Sequence, residues 1–128
     1  MRILVCGGRD FTDRDLVYST LYDFCDDNNL WHKPDSYGNT LPKCTIISGE
    51  ARGADSIATD WAIVNWTDYK GFPADWDKHG RAAGPIRNQQ MLDEGKPDVV
   101  IAFPGGRGTD HMKRIARKAG VRVVEVTV

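Results

Sequence analysis

No apolar run in the sequence approaches the length needed to cross a bilayer. The first run, Ile3 to Cys6 in MRILVCGGRD, is far too short for a signal peptide, so a cytoplasmic protein is expected. Cysteine is scarce. Cys6, Cys25 and Cys44 are odd in number and widely spaced, with no CxxC pair and no His-rich neighbourhood. That pattern argues against zinc and for reduced, mostly buried thiols; no metal and no cofactor is expected. An excess of charge of either sign is missing too: 17 Lys and Arg face 18 Asp and Glu, a net charge of −1. Nothing global therefore draws the chain to nucleic acid or to a membrane surface, although a local basic patch stays open.

What is there is a chain of 128 residues, 41% hydrophobic and 27% charged, which suits one globular domain over 1–128. Ile3 to Cys6, stopped by Gly7-Gly8, reads as a strand buried on both faces. Thr12 is the expected cap of a helix carrying Leu16, Val17, Leu21, Phe24 and Cys25 at helical spacing. NNLWHKPDSYGNTLPK follows, an irregular insertion around 30–43 with prolines, a glycine and asparagines. Cys44 to Ser48 is the second strand, Ile57 to Trp61 mark a helix, and Tyr69 to Phe72 is a third, weaker strand. PADWDKHGRAAGP reads as a long polar loop before a helix that starts near Pro85 and stops at Gly95. Val99 to Phe103, a basic helix over Met112 to Ala119 stopped by Gly120, and Val121 to Val126 complete the chain.

Strand and helix alternate throughout. This predicts an α/β, Rossmann-like three-layer fold, with a parallel sheet of about five strands and helices on both faces. The order 3-2-1-4-5 puts the two most apolar strands, the first and fourth, inside. In such a sheet, ligands bind beyond the carboxyl ends of the strands, where strand order reverses. The loops leaving those ends are GGRDF, SGEARGAD, PADWDKHGRAAGPIRN and PGGRGTD. Every Gly-rich stretch outside the insertion falls on that edge, while the opposite edge gets short links such as GKPD and AGVR.

In PGGRGTD, after Pro104, Gly105 and Gly106 leave no side chain in a ligand's way. Arg107, Gly108 and Thr109 lie where a helix begins, so amides and a hydroxyl are available to an anion. The alternative is an ordinary turn capped by Thr109 or Asp110. Gly7, Gly8, Arg9 and Asp10 of the first loop share this ambiguity, as do Ser48, Gly49, Arg52, Gly53 and Asp55 of the second. Arginines interleaved with acids suit a ligand that carries both phosphate and sugar hydroxyls. Trp76 is a candidate base platform, or else cover for the core. Arg87 and Asn88 start a helix facing the crevice. Trp61, Trp66 and Trp31 leave room for a subunit contact; His32 and His111 carry no signal.

The ordered motifs GGRDF, GEARGADSIATDWA, PADWDKHGRAAGPIRNQQM and AFPGGRGTDHM resemble the YspA-type family, related to YpsA within the SLOG superfamily. The likeness covers nearly all the chain except Leu30 to Pro42. It implies a Rossmann-like fold that binds a nucleotide or nucleotide derivative, such as an ADP-ribose- or NAD-related compound or a nucleoside monophosphate. The complete set of Gly-rich loops, without the catalytic glutamate of related hydrolases, makes a sensor or adaptor the expectation. The superfamily also includes LOG-type phosphoribohydrolases, so the alternative is a hydrolase of the N-glycosidic or phosphate bond. By that likeness Arg87 is similar in placement to their supporting arginine. The place of their glutamate is held by Met112, which can neither move a proton nor stabilise a cationic centre. Asp110 and Asp75 are the carboxylates left as candidate catalytic bases. The likeness further implies a homodimer or higher homo-oligomer. The superfamily's DNA-processing branch fits poorly with a near-neutral chain, so a nucleic-acid partner is not expected.

Overall fold

Successive side chains of a strand point to opposite faces, and in β1 (Arg2–Cys6) both faces are covered. Ile3 and Val5 pack with Ile46, Val99 and Ile101 beneath Val17, Leu21 and Phe24 of α1 (Arg14–Asp27) and Ile57, Ala58 and Trp61 of α2 (Ala54–Val64). Leu4 and Cys6 turn the other way, joining Ile47, Val100 and Ala102 beneath Met91 and beneath Met112 and Ala116 of α5 (Arg107–Lys118). Each Leu or Ile so buried stabilises the fold by about 1.5–3 kcal/mol. The computed structural model describes residues 1–128 and joins β1 to β2 (Thr45–Ser48), β3 (Asp68–Gly71), β4 (Val99–Ala102) and β5 (Arg122–Glu125). All pairs are parallel, in the order β3-β2-β1-β4-β5. The α/β Rossmann-like architecture and the strand order are those expected.

Local details differ. Asp13, not Thr12, caps α1: its Oδ1 accepts the Leu16 amide at 3.0 Å, while the Thr12 carbonyl closes a tight turn with the Arg14 amide. The polar stretch after β3 is not a plain loop. It holds a one-turn helix, α3 (Trp76–His79), then a 3₁₀ turn over Gly80–Ala82 and α4 (Ala83–Gln90), which a π turn extends through Met91–Gly95. Asp75 starts α3 by accepting the Lys78 amide at 3.1 Å, a capping signal that a high polar content hides.

The insertion is more regular than its composition suggests. Leu30 pairs with Lys43, His32 with Leu41 and Asp35 with Asn39 through backbone hydrogen bonds, so the excursion doubles back on itself. Trp31 stacks on Tyr22 with centroids 6.3 Å apart and donates its indole N–H to Asp26, fixing the base of the excursion. His32, Leu41 and Pro42 lie with Met1, Thr45 and Asp68 at the amino edge of the sheet. Trp61 is wholly in the core, which leaves Trp66, 84% exposed, as the free indole. The three cysteines are free and buried, as expected. No helix is long and apolar enough to cross a membrane.

Gly53 sits at φ 83°, ψ −134°, a region for glycine alone, and a Cβ there would overlap the Gly8 carbonyl. Gly106 has φ −106° and open space around a built Cβ. In urea unfolding, Gly53→Ala is expected to lose about 2 kcal/mol or more of stability. Gly106→Ala is expected to unfold with the wild-type midpoint.

Candidate functional site

Three loops leave the carboxyl ends of β1, β2 and β4 and meet. The Gly8 amide donates to the Pro104 carbonyl at 2.8 Å, and the Gly8 carbonyl accepts the Phe11 amide and, at 3.4 Å, the Ala54 amide. Gly105 packs so closely that a Cβ would overlap the Thr109 hydroxyl and stand 2.7 Å from the Gly8 nitrogen. Between these loops and the segment from α3 to α4 lies a crevice of about 830 Å³. That volume falls in the range of small-molecule sites.

Its floor holds two buried groups. Asp55, at the start of α2, accepts the Gly49 amide at 3.1 Å and the Ala51 amide at 3.4 Å, which curls the second loop over it. Burial pushes its carboxyl up to about 6, against the pull of Arg87, those two amides and Arg9. Cys6 lies beside it; burial, and next Asp55, push the thiol up to about 12, so it stays protonated and is no nucleophile. Arg87 is fixed above the floor. Its Nη1 donates to the Gly49 carbonyl at 2.6 Å and its Nε to Asn88 Oδ1 at 3.1 Å. Burial lowers the Arg87 pKa and Asp55 opposes that.

The walls are cationic. Arg9, Arg81, Arg87, Arg107 and Arg114 line the crevice with only Asp55 and Asp110 to oppose them, in a chain whose net charge is −1. Charge is therefore sorted toward this edge. Trp76 is 46% exposed at the rim, with the Arg9 guanidinium 5.0 Å above its ring centroid.

Helix ends show the same sorting. Aspartate side chains cap α1 and α3. At α5 the N-cap is Gly106 and no side chain caps it, so neither Thr109 nor Asp110 takes the role that an ordinary turn would give them. The first helical hydrogen bond runs from the Asp110 amide to the Gly106 carbonyl. The amides of Arg107, Gly108 and Thr109 thus lack intrahelical acceptors at the positive end of the dipole. α2 also begins at a glycine without a side-chain cap, and each of the two helices has an aspartate in its first turn. Asp55 of α2 is spent on the Gly49 and Ala51 amides, whereas Asp110 of α5 pairs with Lys113.

Of the expected residues, Gly7, Gly8, Arg9, Asp55, Trp76, Arg87, Asn88, Gly106, Arg107, Gly108, Thr109 and Asp110 line the crevice. Ser48, Gly49, Gly53, Pro104 and Gly105 stand behind it and hold the loops; the Ser48 hydroxyl, for example, lies 3.1 Å from that of Thr59. Arg52 and Asp10 pair with each other at 3.2 Å on the exterior, with side chains 75% and 94% exposed. Asp75 is the α3 cap and does not line the crevice. Met112, at the glutamate place, is fully buried against the sheet.

Sequence reasoning missed His111 and Arg114, and it carried Arg81 only within the loop PADWDKHGRAAGPIRN. Gly108, His111 and Arg114 follow one another at three-residue steps, which puts them on one face of α5. That spacing was the available signal.

The chain matches the YspA, cpYpsA-related SLOG family over residues 1–79, more than half its length. The Gene 61 protein of Mycobacterium phage D29 is 40% identical to it, over 96% of this chain and 94% of that protein. No solved structure matches. The chain belongs to the YspA, cpYpsA-related SLOG family.

The floor makes stability depend on pH. Asp55 is raised in the folded state from an ordinary 3.8 to about 6, so between these values the folded chain holds a proton that the unfolded chain releases. Its contribution is full below about pH 4 and is lost as pH rises through about 6. The stability of wild type minus that of Asp55→Asn, from urea midpoints, is expected to fall between pH 4 and pH 7. A difference that rises over that range would refute the raised carboxyl.

Proposed function

We propose that the crevice binds a nucleotide or nucleotide derivative, its phosphate on the bare N-terminus of α5, and that the protein acts through binding, as a sensor or adaptor. Family membership suggests nucleotide-related binding or processing. The observation that carries the reading is the pairing of an uncapped helix end with crevice arginines, beside a half-exposed tryptophan. Backbone amides at a helix start favour an anion without requiring a counter-charge, and arginine adds planar, paired donors. Trp76 offers a face for a base. In this reading Gly106 and Gly108, with nothing near a built Cβ, clear space for the ligand, while Gly105 serves loop packing.

A second reading is hydrolysis of the N-glycosidic or phosphate bond, with water adding and the base or phosphate leaving. It is favoured by one observation: Asp110 lines the crevice next to the bare amides, with Arg87 across from it. Lys113 lies 3.3 Å from Asp110 Oδ1. Against this stands Met112, whose thioether is in the core. Incubation with AMP followed by chromatography is expected to release no adenine; release would move the reading to hydrolysis.

Calorimetric titration with AMP and ADP-ribose is expected to give saturable binding to at least one of them. Gly106→Ala, whose added Cβ meets open space, is expected to weaken it about tenfold. Silence across both nucleotides, or Gly106→Ala equal to wild type, would defeat the reading.

A further inference from the structure

Asn88 is buried, and its side-chain amide has three partners: Arg87 Nε at 3.1 Å from Oδ1, and the Gly108 carbonyl at 3.2 Å and His111 Nδ1 at 3.0 Å from Nδ2. An arginine nitrogen can only donate and a carbonyl can only accept. Rotating the Asn88 amide by half a turn would therefore set donor against donor at Arg87 and acceptor against acceptor at Gly108. The Arg87 guanidinium cannot swing away, because its Nη1 is tied to the Gly49 carbonyl. So Nδ2 must face His111, and it arrives as a donor. His111 Nδ1 must then accept, which puts the imidazole proton on Nε2.

Protonating the ring would place Nδ1–H against the Asn88 NH₂ group. The charged groups that line the crevice with His111 also oppose protonation on balance: Arg107 and Arg114 on its own helix, Arg87 on α4, Arg81 before it and Arg9 of the first loop, against Asp110 and Asp55. Burial, and then Arg114, lower its pKa. His111 is thus a neutral ring whose lone pair is occupied and whose Nε2–H is free. It cannot serve as a base through Nδ1; it can donate.

Its place says to what. His111 stands three residues beyond Gly108 on the crevice face of α5, about 4.5 Å further along the axis than the amides at the helix start. That is the next group along from a phosphate seated there, which in a nucleotide is the pentose.

We propose that His111 is a specificity-determining residue, held in its neutral Nε2–H form by the Arg87–Asn88 relay, that donates a hydrogen bond to a sugar hydroxyl of a phosphorylated pentose. The inference rests on the crevice binding a nucleotide-class ligand. It separates a sugar phosphate from a bare phosphate by a contact that carries no charge.

Two measurements test it. In ¹⁵N NMR of the imidazole at neutral pH, the expected result is a protonated Nε2 and a bare Nδ1 for His111, with a mixed tautomer in Asn88→Ala. In titrations of the full chain, His111→Phe is expected to weaken ribose 5-phosphate about five- to tenfold, His111→Gln, whose amide keeps a donor, to weaken it less, and both to leave inorganic phosphate unchanged. An Nδ1–H tautomer or an imidazolium at neutral pH overturns the relay, even where ribose 5-phosphate binds. Equal effects of the His111 substitutions on both probes overturn the sugar contact. A wild-type chain that binds neither probe overturns the contact together with the nucleotide reading, and the tautomer, read without ligand, tells the two failures apart.

Discussion

The backbone of Gly8 is the joint on which the carboxyl edge depends. Its amide holds the loop after β4 and its carbonyl holds the start of α2, so three loops far apart in sequence share one peptide's hydrogen bonds. The approach is possible only because side chains are missing on all sides: Gly8 meets Gly105, and Gly53 presses on the Gly8 carbonyl. A β-carbon at any of these points would push a loop away and widen the crevice floor. The three glycines of PGGRGTD therefore do different things. Gly105 belongs to the joint, whereas Gly106 and Gly108 border open space.

Once the joint is closed, electrostatics follows from placement. The Asp55 carboxyl curls the second loop and accepts its amides, while Arg87 reaches over it to the Gly49 carbonyl. These opposed charges share a poorly hydrated floor, and each moves the other's titration toward the charged form while burial moves both away from it. The remaining arginines face the cavity with little acid near them. A chain balanced in total charge thus presents a cationic hollow at one end, a property that the sum of residues conceals.

The sheet was legible because its grammar is short-range. Ile3, Val5 and Leu4, Cys6 declare two buried faces by simple alternation, and the apolar strands fall inside the order that handed crossovers permit. Gly-rich loops at one edge followed from the same topology. What was not legible depended on contacts between distant segments. His111 looks like any helix-surface histidine until Asn88, from another helix, fixes its proton. α3 hid in a polar run because one turn of helix needs only the Asp75 cap and no apolar stripe. Arg52 and Asp10 seemed to belong to the site by sequence neighbourhood, yet their side chains leave the loops outward and meet in solvent.

The doubled-back excursion between Leu30 and Lys43 hangs from the edge opposite the crevice, with its ends already fastened to each other by backbone pairing. Chain added at its tip is closed by bonds that exist regardless of its length, and the entropy of the larger ring grows only with the logarithm of that length. The molecule therefore carries a port where whole epitopes, tags or reporter modules can be grafted on the far side of the fold, out of reach of whatever the hollow holds.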